Sequence, residues 1–196
     1  ILMSMRRDHL DHINQIIDVG FLPEGEIHSR SAGSNPYDMA RTDKYPYKRI
    51  FLAADMASGL SPWATKTLIN YLRDKDSAIR YWGAMGLLMR GKKGLSMTGK
   101  YLEKALHDDS PYVRVVAAET LGKFGNQDQV TQAVTILGQI ADPIKNGCFP
   151  SMLAMNAIDH LDERAKPLLP MILSMPRIPR EVEKRFQGYV GRLVDT

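Results

Sequence analysis

The chain has 196 residues, 44% hydrophobic and 24% charged, the composition of an ordinary folded protein with room for a full core. It holds no run of eighteen apolar residues, so no membrane-spanning helix is expected, and its one cysteine, Cys148, excludes an internal disulfide and any multi-cysteine metal site. The net charge of +4 is uneven: five Lys/Arg stand against seven Asp/Glu up to Pro46 and 21 against 15 after it, an excess too small and scattered to predict a nucleic-acid partner.

The opening residues, Ile1 to His12, lack the basic–apolar–small order of a signal peptide. They are already in helical periodicity, as a piece of a longer protein would be. Ser4–Val19 is expected as one amphipathic helix with Leu10, Ile13, Ile16 and Ile17 on its inner side. His9 and His12 lie one turn apart on it, but no glutamate of an H-E-x-x-H pattern and no third ligand accompany them, so a solvated face is the better reading. The stretch from Gly20 to Pro46 is irregular and rich in Gly, Ser, Asn and Pro. Residues 1–46 therefore form a helix and an irregular arm, ordered only by packing on the chain's own repeats or on a neighbouring domain.

Residues 47–196 are expected as a second, all-helical domain. Tyr47–Ser58 has the pattern of a second helix of a helical pair. The segments Leu72–Gly91 and Leu106–Gly125 then align at an offset of 34 residues, matching Leu72/Leu106, Asp74/Asp108, Ile79/Val113, Arg80/Arg114, Ala84/Ala118, Leu87/Leu121 and Gly91/Gly125. In each copy a leucine closes a first helix (Trp63–Leu72, Met97–Leu106) and an Asp/Ser/Pro turn caps a second. One apolar stripe faces inward, and a glycine ends the unit where a left-handed residue is needed. Two looser pairs follow: Val130–Ile140 with Ser151–Leu161, joined by Ala141–Gly147, and Leu168–Ser174 with Glu181–Val194. End copies of this kind cap an otherwise open apolar face. The pattern closely resembles HEAT-type repeats, and the fold class it implies is an all-α, HEAT-like superhelix with an irregular N-terminal arm.

A second resemblance lies in the arm. Ile17 to Glu26, with its Gly20-Phe21-Leu22-Pro23-Glu24 run, is followed by Ser34 to Tyr37 and by Lys44 to Phe51. In that order they resemble the stretch that follows the catalytic domain of some bacterial sulfatases and leads into a C-terminal HEAT-like extension. The resemblance covers essentially the whole chain. It implies a non-catalytic accessory region of a sulfuric ester hydrolase, in an exported or periplasmic location. It further implies packing against the parent's catalytic domain or a second protomer, with Phe21, Leu22, Pro23 and Tyr37 as interdomain contacts. Calcium and formylglycine belong to the absent catalytic domain, and no cofactor is expected here. Cys148-Phe149-Pro150-Ser151-Met152 imitates the start of the sulfatase C-x-P-x-R motif, but Met152 stands where the arginine is required and the stretch opens a core-spaced helix. No catalytic residue carries over.

Other candidates have two readings each. Arg80 and Arg114, beside Asp74 and Asp108, form either a ladder toward an anionic ligand or, better, ion pairs between repeats. Arg90, Lys92 and Lys93, with Lys100 nearby, form the densest basic cluster, at an expected inter-repeat loop, Gly91–Thr98; it would attract a sulfated glycan by charge, but a simply solvated cluster is the better reading. Tyr81, Tyr112, Trp63 and Trp82 could stack on sugar rings, although helical spacing favours packing for Trp82. The recurring methionines Met85, Met89, Met152, Met155, Met171 and Met175 read as an adaptable core. The rival function is a free-standing HEAT scaffold for protein partners. An enzyme in its own right ranks last, for want of paired carboxylates or a nucleophile–base set.

Overall fold

The computed structural model describes residues 1–180 and 182–195, and every regular element among them is helical. The arm holds α1 (Leu2–Ile16), a short 3-10 turn at Val19–Phe21, α2 (Glu24–Arg30) and α3 (Pro36–Met39). Then come α4 (Tyr47–Ser58), α5 (Thr65–Tyr71) after a 3-10 turn at Pro62–Ala64, α6 (Ser77–Met89), α7 (Gly91–Ala105), α8 (Pro111–Phe124) and α9 (Gln127–Ile140). The C-terminal third holds α10 (Pro143–Asn146), α11 (Cys148–Asp159), a 3-10 stretch at Asp162–Leu168, α12 (Leu169–Leu173) and α13 (Gln187–Val194). This is a helical-repeat fold: α5/α6 and α7/α8 are the regular units, with α9/α11 continuing them.

The pairing follows from residue chemistry. Asp76 accepts the Ala78 N–H and starts α6, while Pro111 occupies the first turn of α8, where its missing N–H costs nothing. Asn126 and Gln129 cap α9 reciprocally. The stripes of α6 and α8 bury Ile79, Ala84, Leu87, Val113, Ala118 and Leu121 to 2% exposure or less. Small residues set the closeness: a Cβ on Gly83 would lie 2.9 Å from the Leu68 carbonyl, so α5 and α6 approach backbone to backbone.

Several boundaries differ from the sequence expectation. The first helix runs Leu2–Ile16 and not to Val19, because Ile17 turns left-handed (φ 53) and Asp18 then caps the Gly20 N–H. Of its expected inner side only Ile13 is buried, while Leu10 and Ile16 are 40% and 47% exposed. The arm is largely organised, through α2 and α3. The expected loop Gly91–Thr98 is helical: Gly91 takes φ +62, reverses the chain at once, and α7 begins there. Gly125 is not left-handed but extended (φ −75, ψ 171). Its reason is space, since a Cβ would lie 2.4 Å from the Leu121 carbonyl and 2.8 Å from Gln129 Cβ. The expected terminal helix Glu181–Val194 begins on a residue outside those described, and the observed helix starts at Gln187 after a 3-10 turn.

The core is in two parts. The larger runs from Ala57 and Leu68 through α7, α8, α9 and α11 to Val190 and Val194. The smaller joins arm to repeats: Leu22, Met39, Ala40, Tyr45 and Tyr47 pack with Ile50, Ala53, Ala78 and Ile79.

Candidate functional site

The second helices of the repeats, α6, α8 and α11, form a continuous face, and the arm lies on it. Trp82 of α6 donates its indole N–H to the Phe21 carbonyl (2.8 Å). Gly25 sits so close to α8 and α11 that a Cβ there would meet the Tyr112 hydroxyl at 1.6 Å and Phe149 Cβ at 2.9 Å. His28 stacks on Phe149 with ring centroids 4.7 Å apart, and Phe186 closes the cluster edge-on. The seam leaves a cleft of about 280 Å³ lined by Tyr81, Tyr112, Phe149 and Met152. Burial, with Glu119 nearby, pushes the Tyr81 hydroxyl up to about 12, and burial beside Glu26 and Glu24 raises Tyr112 as well.

A charged network fixes the same seam. Arg30 of α2 donates to Glu26 and to both carboxylate oxygens of Asp76 (3.0 and 2.9 Å), the N-cap of α6. It also bonds the Ser77 hydroxyl and the Lys44 carbonyl. Burial alone would raise the Asp76 pKa, but the Arg30 hydrogen bonds and charge outweigh it and hold the carboxylate below its ordinary value. One step along, Arg80 makes a two-pronged pair with Asp108 (2.7 and 2.8 Å) and reaches the Asp74 and Lys75 carbonyls. Asp74 in turn accepts from Arg49 at 2.6 Å. Arg114 does not continue the ladder, and its Nε is buried without a partner among the described residues.

The structure divides the arm's candidates. Leu22 and Pro23 are buried and Phe21 is half-buried, wedged against Tyr47 and Phe51 of the same chain. They do not face outward as interdomain contacts, because the repeats themselves supply the apolar surface. Tyr37 remains 66% exposed, with the Arg41 guanidinium 3.6 Å over its ring.

The basic cluster is also divided. It is not in a loop but opens α7. The Arg90 guanidinium is turned inward and donates to the carbonyls of Met56, Ala57, Gly86 and Ser61 at 2.7 to 3.3 Å, closing the end of α4. Arg164 does the same for α8 through the Gly122 and Lys123 carbonyls. Lys92, Lys93 and Lys100 are exposed along α7. The methionines are divided too: Met155 and Met175 are buried, but Met89 is 45% exposed.

The remaining candidates lie apart. His9 and His12 are exposed on α1, and among the described residues no three His, Cys, Asp or Glu side chains converge as metal ligands. Cys148 opens α11 beneath Phe186, where burial raises its pKa, the opposite of an activated thiolate. Two features escape sequence reasoning. Glu26–Arg30 is visible as an i,i+4 pair, but its partner Asp76 is 46 residues away. The other is the inward turn of Arg90, whose carbonyl partners lie 29 to 34 residues back in the chain apart from Gly86.

Comparison with known families finds that the family described as HEAT repeats matches residues 65–144, from α5 into α10. No curated protein and no solved structure matches the chain. The matched segment is the HEAT-type repeat array, and the arm lies outside it.

Proposed function

We propose that the chain is a non-catalytic protein-interaction scaffold, the C-terminal accessory region of a sulfatase-like hydrolase. HEAT-type helix pairs supply a rigid, extended surface and no reacting groups. One observation carries the narrower part of the reading. The Gly20-Phe21-Leu22-Pro23-Glu24 run, on which the likeness to sulfatases rests, is the wedge that seats the arm on the repeats: Leu22 is 5% exposed and Trp82 bonds the Phe21 carbonyl. A run with that duty would be kept wherever such an arm introduces such repeats. The partner surface is then a protein, either a catalytic domain of the same polypeptide or a second protomer. The sulfated carbohydrate would be the substrate of that domain.

The test is the gene and its product. The reading frame upstream of the Ile1 codon should encode a C-x-P-x-R or S-x-P-x-R motif, and the full-length product should hydrolyse 4-methylumbelliferyl sulfate. An in-frame start directly before Ile1 with no such motif removes the hydrolase parentage and leaves a free-standing scaffold.

A further inference from the structure

On most helical solenoids the face of the second helices is open for partners; here the chain's own arm occupies it. The first helices, α5, α7 and α9, carry the uncovered surface. Two grooves run along either side of Met97 on α7. One, of about 440 Å³ toward α5, is lined by Leu60, Pro62, Met89 and Lys93. The other, of about 550 Å³ toward α9, is lined by Leu95, Phe124, Lys92 and Lys100. Met97 is 68% exposed, Leu60 55% and Met89 45%, large apolar side chains lining the grooves of the kind that marks an interaction site. Leu60 is moreover held at φ 53, a left-handed conformation rarely given to leucine. No acidic residue lines either groove, and the nearby Glu103 carboxylate is engaged by Gln129 at 2.7 Å.

We propose that this α5–α7–α9 surface docks an acidic amphipathic helix of a protein partner, with an apolar anchor in each groove and its carboxylates on Lys92, Lys93 and Lys100. Packed helices lie about 10 Å apart, so the two grooves are spaced by about that distance. Residues i and i+7 of a helix laid across α7 are about 10 Å apart and reach both. The charge complement is one-sided, since the rim offers lysines and no carboxylates. A sulfated glycan fits less well. Arg90, the one guanidinium of the cluster and the group best shaped for a sulfate, is bound to four carbonyls, and the grooves offer apolar side chains in place of polar partners. The proposal rests on the scaffold reading and not on the hydrolase parentage.

Selection of a displayed library of random 16-residue peptides on the full chain tests it, with retained peptides then measured by fluorescence anisotropy. Enriched sequences should be net acidic with apolar residues seven apart. Their affinity should fall about tenfold or more for Met97→Glu and for Lys92→Glu with Lys93→Glu, and should weaken as salt is raised. Met97 and both lysines are exposed, so these variants should keep the wild-type far-UV circular dichroism melt. Peptides that are enriched but basic or uncharged, or that bind the variants equally, overturn this surface and leave the scaffold standing. An absence of any enriched peptide overturns both. Binding of a heparin oligosaccharide that the lysine reversals abolish and Met97→Glu spares assigns the surface to a glycan. Self-association in sedimentation that Met97→Glu abolishes assigns it to a second copy.

Discussion

Arg30 is the residue through which the arm's charge meets the repeats. Its side chain is 15% exposed, Asp76 12% and Glu26 7%, so the pair lies well out of solvent, and deleting one partner strands the others. Arg30→Ala should therefore cost about 3 kcal/mol of stability, as the loss of one member of a buried ion pair does, read from chemical denaturation. The pH dependence follows from Asp76, whose pKa the fold lowers. Its contribution is complete above the ordinary carboxylate value of about 3.9 and disappears as pH falls through that value toward the lower folded one. Wild type should lose stability across that acid window, and Asp76→Asn should flatten this part of the profile. An unchanged acid slope in Asp76→Asn would place the pair outside the stability of the fold. Asp74 and Asp108 have the same side chain and similar turns, yet their cations are Arg49 and Arg80, and the pairs are linked because Arg80 also bonds the Asp74 carbonyl and the Asp76 N–H bonds the Asp74 carboxylate.

At the level of elements, the repeat units were legible and their edges were not. The stripe Ile79/Ala84/Leu87 and its copy Val113/Ala118/Leu121 reads directly as two buried helix faces, because burial imposes the spacing that periodicity detects. Gly91 and Gly125 match in sequence for different reasons. One needs φ +62 and the other needs the absence of a Cβ beside the Leu121 carbonyl, and a one-dimensional pattern cannot tell conformation from space. The start of α7 is hidden in the sequence for a related reason: Gly91-Lys92-Lys93-Gly94 has loop composition, but Gly94, Leu95 and Thr98 are buried at helical spacing by the neighbours of α7. The candidate site was less legible still. The wedge residues Phe21 and Leu22 stand out in sequence, but their target, the face of α6 and α8, is fixed only by long-range packing. The seat of α2 makes this testable, since Gly25 leaves no room for a side chain against Tyr112 and Phe149. Gly25→Val should lift α2 from α8 and α11. By hydrogen exchange, amides of residues 20–46 should then lose the most protection, while those of α8 and α9 fall only by the loss of global stability. Equal protection in both proteins would mean that α2 is held elsewhere.

The whole molecule is governed by the smaller core, because that core has one wall from the arm and one from the repeats. Leu22, Met39 and Tyr45 of the arm pack with Ile50 and Ala53 of α4 and with Ala78 and Ile79 of α6, and Ile50 and Ile79 are sealed by the arm in return. Removing either side exposes the other, so arm and repeats should unfold as one cooperative unit even though repeat arrays can unravel piecemeal. Trp82 reports the seam, since its indole bonds the Phe21 carbonyl, whereas far-UV circular dichroism reports the repeats that hold most of the helix. In a Trp63→Phe background, which removes the exposed tryptophan's signal, the two probes should give coincident denaturation curves. Truncating the wedge by Phe21→Ala with Leu22→Ala removes two packed side chains at adjacent positions, for an expected combined loss of about 4 kcal/mol after allowing for their non-additivity. Both curves should move together to lower denaturant, with the slope unchanged because the same surface is still exposed on unfolding. If the Trp82 transition instead moves ahead of the helical one, the arm is a separately melting lid. The face of α6, α8 and α11 then becomes a second, conditionally open surface alongside the outer one on α7.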